Sequence, residues 1–571
     1  MLNIGRRLDG GRTPRRFGKL VASSLLASAL LWQAGCAAND GLDAGATETP
    51  SVNVTTAPAG ALQGVAEDGV TVYRGIPFAL APVGERRWAP PQAFPDWDGV
   101  RDATEFGPAC PQPGARPGSI YYEKLGEVNE DCLSLNVWVP DGAEDAPVFV
   151  WIHGGSLVTG AGSQAMYDGA KLARETGLIV VTINYRLGVL GYLAHPGLSA
   201  ESPQNISGNY GLKDQVAALK WVERNIGAFG GNPDNVTIAG ESAGALSVVL
   251  LMVSPEARGL FNKAVAQSAY MVSMAPLRGT RNGHPSAEEA GVAFQEKTGA
   301  ASLGELREMD ADKLVSIAGR AFVPFGVIDD VWITDQMPAA FDKGEQAKVP
   351  VLAGFNEGEI RSLRFLLPPV PESDAYEAAI RASHGDLADR FLDTYPADKP
   401  EASMLATTRD AMYGWTAERL AASQTAAGQP SYFYFFDHTY PAADKLGLRA
   451  FHAMEIPYVF GTLFDIPEPW PQAPRKQSER DLMKAMMHYW ASFARTGTPS
   501  AEGAPDWPAY GNDATGMVFA ATPKAWPGLA RARFELHETV VCRRRADGTL
   551  QWNWNVGIIS PPLPPEVPEC N

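Results

Sequence analysis

Gly240-Glu241-Ser242-Ala243-Gly244 follows the apolar, β-rich run VTIAG (236–240) and opens the helix-like stretch GALSVVLLM. This is G-x-S-x-G in a strand–turn–helix setting. Small residues on both sides allow a sharp, strained turn. The turn holds the serine oxygen out at the strand's carboxyl end, beside a helix N-terminus. A serine hydroxyl is a weak nucleophile by itself. It needs a general base, a carboxylate to orient that base, and donors for the oxyanion that forms when it attacks a carbonyl. The backbone N–H of Ala243, next after the serine, is one such donor. A glycine-rich turn, His153-Gly154-Gly155-Ser156, lies earlier in the chain behind another apolar run and offers more. The chemistry these residues suit is acyl transfer through Ser242.

The elements that must position them read as alternating strands and helices. VFVWIHGG (148–155), LIVVTINYRLG (178–188), VTIAG, KAVAQS (263–268), VPVLAG (349–354) and SYFYFF (431–436) are short apolar runs. Such runs suit strands buried on both faces of a mostly parallel sheet. Between them, Val216, Leu219, Val222 and Ile226 fall on one helical stripe. Alternation from about residue 60 to 540 predicts one large α/β unit, although 571 residues alone would suggest several domains. Residues 271–345 and 360–430 are more irregular and more helical, and are expected to wall a substrate site. The proline-rich tail PPLPPEVPEC (561–570) is expected to run extended against the body. There are no internal repeats.

Composition removes several classes of function. With 45% hydrophobic and 20% charged residues the chain is globular, and a net charge of −17 repels phosphate backbones, so no nucleic-acid partner is expected. The stretch Gly160-Ala161-Gly162-Ser163-Gln164-Ala165 fits a dinucleotide fingerprint formally, but it does not directly follow a strand. H-E-x-x-H, Walker A, S-x-x-K and C-x-x-C are all absent, so neither a metal nor another cofactor is expected.

Longer blocks carry a family resemblance. FGGNPDNVTIAGESAG (229–244) and EDCLSLNVWVP (130–140) closely resemble the two signatures of the type-B carboxylesterases, the family of para-nitrobenzyl esterases, cholinesterases and animal carboxylesterases. YRGIPFALAPVGERRWAPP (73–91), NYRLGVLGYL (184–193), NYGLKDQVAALKWV (209–222) and FHAMEIPYVFGTL (451–463) also read like family blocks, so the resemblance covers about residues 55–530. It implies an α/β-hydrolase fold and a Ser-Glu-His triad acting on small to medium carboxylic esters. Ser242 matches the nucleophile. His452 matches the base, with His438 as the alternative, and His153 is expected to shape the oxyanion turn. The family's acid stretch resembles G-x-N-x-D-E-G, whereas this chain reads Gly354-Phe355-Asn356-Glu357-Gly358-Glu359-Ile360. Aligning on Gly354 and Asn356 selects Glu359, and aligning on Glu-Gly selects Glu357. Glu359 is preferred because it keeps the spacing from the strand end. The third oxyanion-loop glycine of many relatives is Ser156 here, so the implied donors are Gly155, Ser156 and Ala243. Glu241, Ser268 and Glu455 are expected near this machinery. A cholinesterase would place Trp in the first Cys loop to stack a quaternary ammonium. Residues 111–131 hold Tyr121 and Tyr122 but no Trp, which disfavours that specificity. The rival reading is a non-catalytic binding or adhesion protein on the same fold.

The N-terminus reads as an address. Arg6, Arg7, Arg12, Arg15, Arg16 and Lys19 precede the short apolar stretch LVASSLLASALLW (20–32) and Ala34-Gly35-Cys36. That order predicts an export signal of lipoprotein type over 1–36 with Cys36 lipidated, then a polar tether (37–54) and a single domain (55–571). Cys110, Cys132, Cys542 and Cys570 each have a near neighbour in sequence, which predicts Cys110–Cys132 and Cys542–Cys570 disulfides and an oxidising compartment. The expected location is the periplasm or an outer-membrane anchor, or the secreted fraction. Membrane contact is expected through the lipid alone.

Overall fold

The computed structural model describes residues 52–570 apart from 115–117, 320, 530 and 553–555. The export signal, Cys36 and nearly all of the tether therefore lie outside the described residues. Among the described residues, thirteen strands form one sheet. They are β1 (Val52–Ala57), β2 (Gly60–Glu67), β3 (Val70–Pro77), β4 (Val100–Asp102), β5 (Ser134–Pro140), β6 (Ala146–Ile152) and β7 (Ile179–Ile183). The rest are β8 (Gly231–Glu241), β9 (Lys263–Gln267), β10 (Val351–Asn356), β11 (Ser431–Phe436), β12 (Gly516–Phe519) and β13 (Lys524–Trp526). The order is β1-β2-β3-β5-β7-β6-β8-β9-β10-β11-β12-β13, with β4 beside β2.

From β7 to β12 every neighbouring pair is parallel. All six expected apolar runs lie in this central block. In β6, β7, β9 and β10 every residue is buried, which is why these strands read as continuous apolar runs. Both edges are antiparallel: β1, β2, β3, β5 and β7 pair successively on one side, and β12 with β13 on the other. Side chains alternate across the sheet with period two. Val148, Val150 and Ile152 of β6 join one large core cluster, and Phe149 and Trp151 join the other.

Helices cover both faces. The expected helical stripe lies in Tyr210–Asn225 and the 3₁₀ turn that follows it, with Val216, Leu219, Val222 and Ile226 all buried. The helix Ala243–Val253 is buried along its whole length, as its uniformly apolar sequence requires. Helices also fill 287–342 and 373–426 in large part, within the segments 271–345 and 360–430 expected to wall the site. The tail ends in a short 3₁₀ turn, Pro568–Cys570, where Cys570 is bonded to Cys542. Among the described residues no helix is long and apolar enough to cross a membrane.

Candidate active site

The chemistry-bearing residues converge at the carboxyl ends of the parallel strands. Register brings them there: Ile152 lies opposite Gly240, Glu241 opposite Gln267, and Gln267 opposite Gly354. His153 therefore follows β6, Ser242 follows β8, Ser268 follows β9, and Glu359 sits three residues beyond β10. Ligand and catalytic sites of open parallel sheets lie at this end.

Ser242 has φ 55° and ψ −119°, a conformation rarely open to a residue with a Cβ, and it caps the helix that starts at Ala243. The flanking glycines explain how the turn closes. A Cβ on Gly244 would stand 2.0 Å from the Ile152 carbonyl oxygen, and one on Gly240 would stand 2.5 Å from the Gly244 carbonyl carbon. Neither position tolerates any other residue without moving backbone.

His452 Nδ1 meets Glu359 Oε2 in a short, fully buried hydrogen bond. The other oxygen of Glu359 accepts from Ser268 Oγ at 2.6 Å and from the Asn356 N–H at 2.7 Å. Glu357 points elsewhere. Its carboxylate lies 3.2 Å from Arg449 Nε and 3.9 Å from Arg409. The two candidate acids thus have different partners, and only Glu359 reaches the imidazole. His438 is also removed from the site, since its Nε2 bonds Glu479 at 2.9 Å.

The far nitrogen of His452, Nε2, stands 3.1 Å from Glu241 Oε1, an ion-pair contact without directed hydrogen-bond geometry. Among the described residues no hydrogen bond joins Nε2 to the Ser242 hydroxyl. Catalytic contacts of this kind commonly tighten only when substrate is bound. Glu455 accepts from Gln267 Nε2 at 2.9 Å and from the Asn356 side chain at 2.5 Å. Burial opposes the charged imidazolium of His452, yet the charges of Glu241 and Glu359 outweigh it and raise its pKa. Burial and the crowding of carboxylates raise Glu241 and Glu455 as well.

The glycine-rich turn packs against the nucleophile. A Cβ on Gly154 would come within 3.4 Å of the Ser242 Cβ. Gly155, Ser156 and Leu157 all have positive φ, at 108°, 59° and 57°, so Ser156 adopts the backbone that a third glycine would. Among the described residues none accepts a hydrogen bond from the N–H of Gly155, Ser156 or Ala243. His153 stacks on Tyr185 at 4.5 Å and donates Nδ1–H to the Gly154 carbonyl, and burial lowers its pKa to about 4. It is a neutral brace for the turn. Among the described residues no group of side chains is arranged to hold a metal ion.

Two aromatic contacts had no signature in the sequence. Tyr413 lies on a π-helical turn, Asp410–Gly414, and packs its ring 5.2 Å from that of His452. Tyr121, from the loop closed by the Cys110–Cys132 disulfide, reaches the His452 carbonyl oxygen at 2.8 Å.

The profile of the Carboxylesterase family matches residues 48–535. The chain belongs to the carboxylesterase family. It is 36% identical over 475 residues to the para-nitrobenzyl esterase of Bacillus subtilis, covering 80% of this chain and 92% of that protein. It is also 36% identical over 547 residues to the fumonisin B1 esterase of Sphingopyxis macrogoltabida, covering 91% and 96%. A solved PNB esterase structure superposes with a TM-score of 0.72 at 33% identity, covering 85% of this chain and 99% of that one. The architecture is the α/β-hydrolase fold, and this carboxylesterase is a carboxylic ester hydrolase.

Proposed function

We propose that hydrolysis proceeds by two-step acyl transfer through Ser242, with His452 as general base and Glu359 as the acid that orients it. His452 takes the Ser242 proton as the hydroxyl attacks the ester carbonyl. The N–H groups of Gly155, Ser156 and Ala243 receive the tetrahedral oxyanion. His452 then protonates the leaving alcohol and later activates water to release the acid. The observation that carries this reading is the Glu359–His452 hydrogen bond beside a serine in a strained turn. Turnover of a short-chain p-nitrophenyl ester should fall about a million-fold in Ser242→Ala, the loss that follows when a triad nucleophile is removed. A Ser242→Ala protein that keeps its rate refutes the assignment.

The proposed substrates are small to medium carboxylic esters, and no dedicated choline specificity is proposed. Relatives named for para-nitrobenzyl and fumonisin B1 esters support the broad class. A panel varied in acyl length and alcohol bulk tests the range. We further propose export, with Cys36 as the lipidated N-terminus of the mature chain. The Cys110–Cys132 and Cys542–Cys570 disulfides support an oxidising compartment. Mass spectrometry of the mature N-terminus tests it: an unmodified terminus other than Cys36 refutes the anchor.

A further inference from the structure

The general base is held at its ring by Glu359, but a base must also be held at its backbone. His452 lies in a turn between Phe451 and Met454, next to Ala453 with φ 71°; the residue before it, Phe451, bridges Gly358 of the acid's segment, and the His452 carbonyl itself is held from the other side. The Tyr121 hydroxyl reaches the His452 carbonyl oxygen at 2.8 Å and Ser362 Oγ at 2.7 Å. A carbonyl only accepts, so the tyrosine proton goes to His452 and the Ser362 hydroxyl donates to the phenolic oxygen. Ser362 lies three residues beyond Glu359, directly after the 3₁₀ turn Glu359–Arg361. One hydroxyl thereby joins the backbone of the base to the segment that carries the acid. The ring is lodged between Phe451 at 6.5 Å and Trp470 at 6.1 Å. Burial raises the phenol's pKa well above its ordinary value, so it keeps its proton.

The loop that carries Tyr121 is anchored on the oxyanion side as well. Gln112 exchanges hydrogen bonds with Gly160, accepting from its N–H and donating to its carbonyl, both at 2.9 Å. Glu123 accepts from the Ala165 N–H at 2.9 Å. We propose that Tyr121 is a positioning residue for His452, and that the loop closed by Cys110–Cys132 braces the base and the oxyanion turn as one unit. The proposal rests on the esterase mechanism above.

Tyr121→Phe keeps the ring and removes only the bridge. In the full-length enzyme, assayed with a p-nitrophenyl ester, kcat should fall about tenfold or more, with KM nearly unchanged, as small displacements of a catalytic group produce. The acid limb of the kcat/KM profile should move to lower pH, because an imidazole that drifts from Glu359 and Glu241 loses the charges that raise its pKa. Glu455 and Tyr413 stay in place and serve as the constant background. Tyr122→Phe, on the same loop, should change neither quantity. Ser362→Ala removes the other half of the bridge and should shift the limb in the same direction by less. If Tyr121→Phe does not fold, Ser362→Ala carries the decision. An unchanged kcat and an unchanged limb in the folded variant overturn the proposal. Wild-type turnover that is lost in Ser242→Ala establishes the reaction separately, so such a result counts against the bridge and not against the esterase mechanism.

Discussion

Glu359→Gln keeps the size of the side chain but removes the charge that stabilises the imidazolium, and it should lower kcat about 10⁴-fold, as in other triads that lose their carboxylate. Glu357→Gln should leave kcat near the wild-type value. It removes a partner of the buried Arg409 and of Arg449, so its effect should appear in denaturation, at about 1–3 kcal/mol. Equal rate losses in the two variants would contradict the assignment of the acid. The pH profile is set by the same cluster. Because Glu241 and Glu359 hold the His452 pKa up, the imidazolium persists to higher pH and the free base is lost early on acidification. The acid limb of kcat/KM should therefore lie above the ordinary imidazole value of about 6.5. A limb at or below that value would show that the carboxylates do not act on the base.

At the scale of elements, the sharp turn after β8 is the least forgiving segment. Gly244→Ala would push a methyl group into the Ile152 carbonyl, and both contacting groups are backbone. A loss of about 1–3 kcal/mol in stability is expected from overpacking. The displaced Ser242 should also cost roughly 100-fold in kcat. A fully active, equally stable Gly244→Ala would contradict the close approach. The central parallel strands were legible because burial on both faces writes an unbroken apolar run, as in IVVTI and APVFVWI. The edge strands β1 to β4 were not. β1 and β4 are mostly exposed and carry mixed side chains, so no run marks them. Ser242, Glu359 and His452 were legible through motif and family blocks. Tyr121 and Tyr413 were not, because their roles come from a disulfide-closed loop and a π-helical turn, and neither geometry leaves a periodic trace.

Across the whole molecule, the two disulfides tie down very different regions. Cys110–Cys132 closes the loop that bonds Gly160 and Ala165, just beyond the oxyanion turn, and His452, and Cys542–Cys570 fastens the tail to the helix Arg531–Asp547. Each spans a comparable stretch, with separations of 22 and 28 residues, and the chain-entropy argument assigns each about 3 kcal/mol. Replacing either cysteine pair by serine should therefore lower the melting temperature by a similar amount. The kinetic effects should differ: the Cys542/Cys570 variant should keep its kcat, and the Cys110/Cys132 variant should lose part of it. Matching kinetic losses would mean that the tail, too, supports the site.

Glu241, Glu359 and Glu455 set three buried carboxyl groups around His452 and Asn356. Hydrolysis of any ester there ends by creating a fourth. Once His452 is again a free base, whichever of the three is ionised repels the newborn anion, while the neutral alcohol feels no such push. Free carboxylic acids should accordingly be feeble competitors of the parent esters, and their hold on the enzyme should strengthen only as the medium turns acidic enough to discharge them.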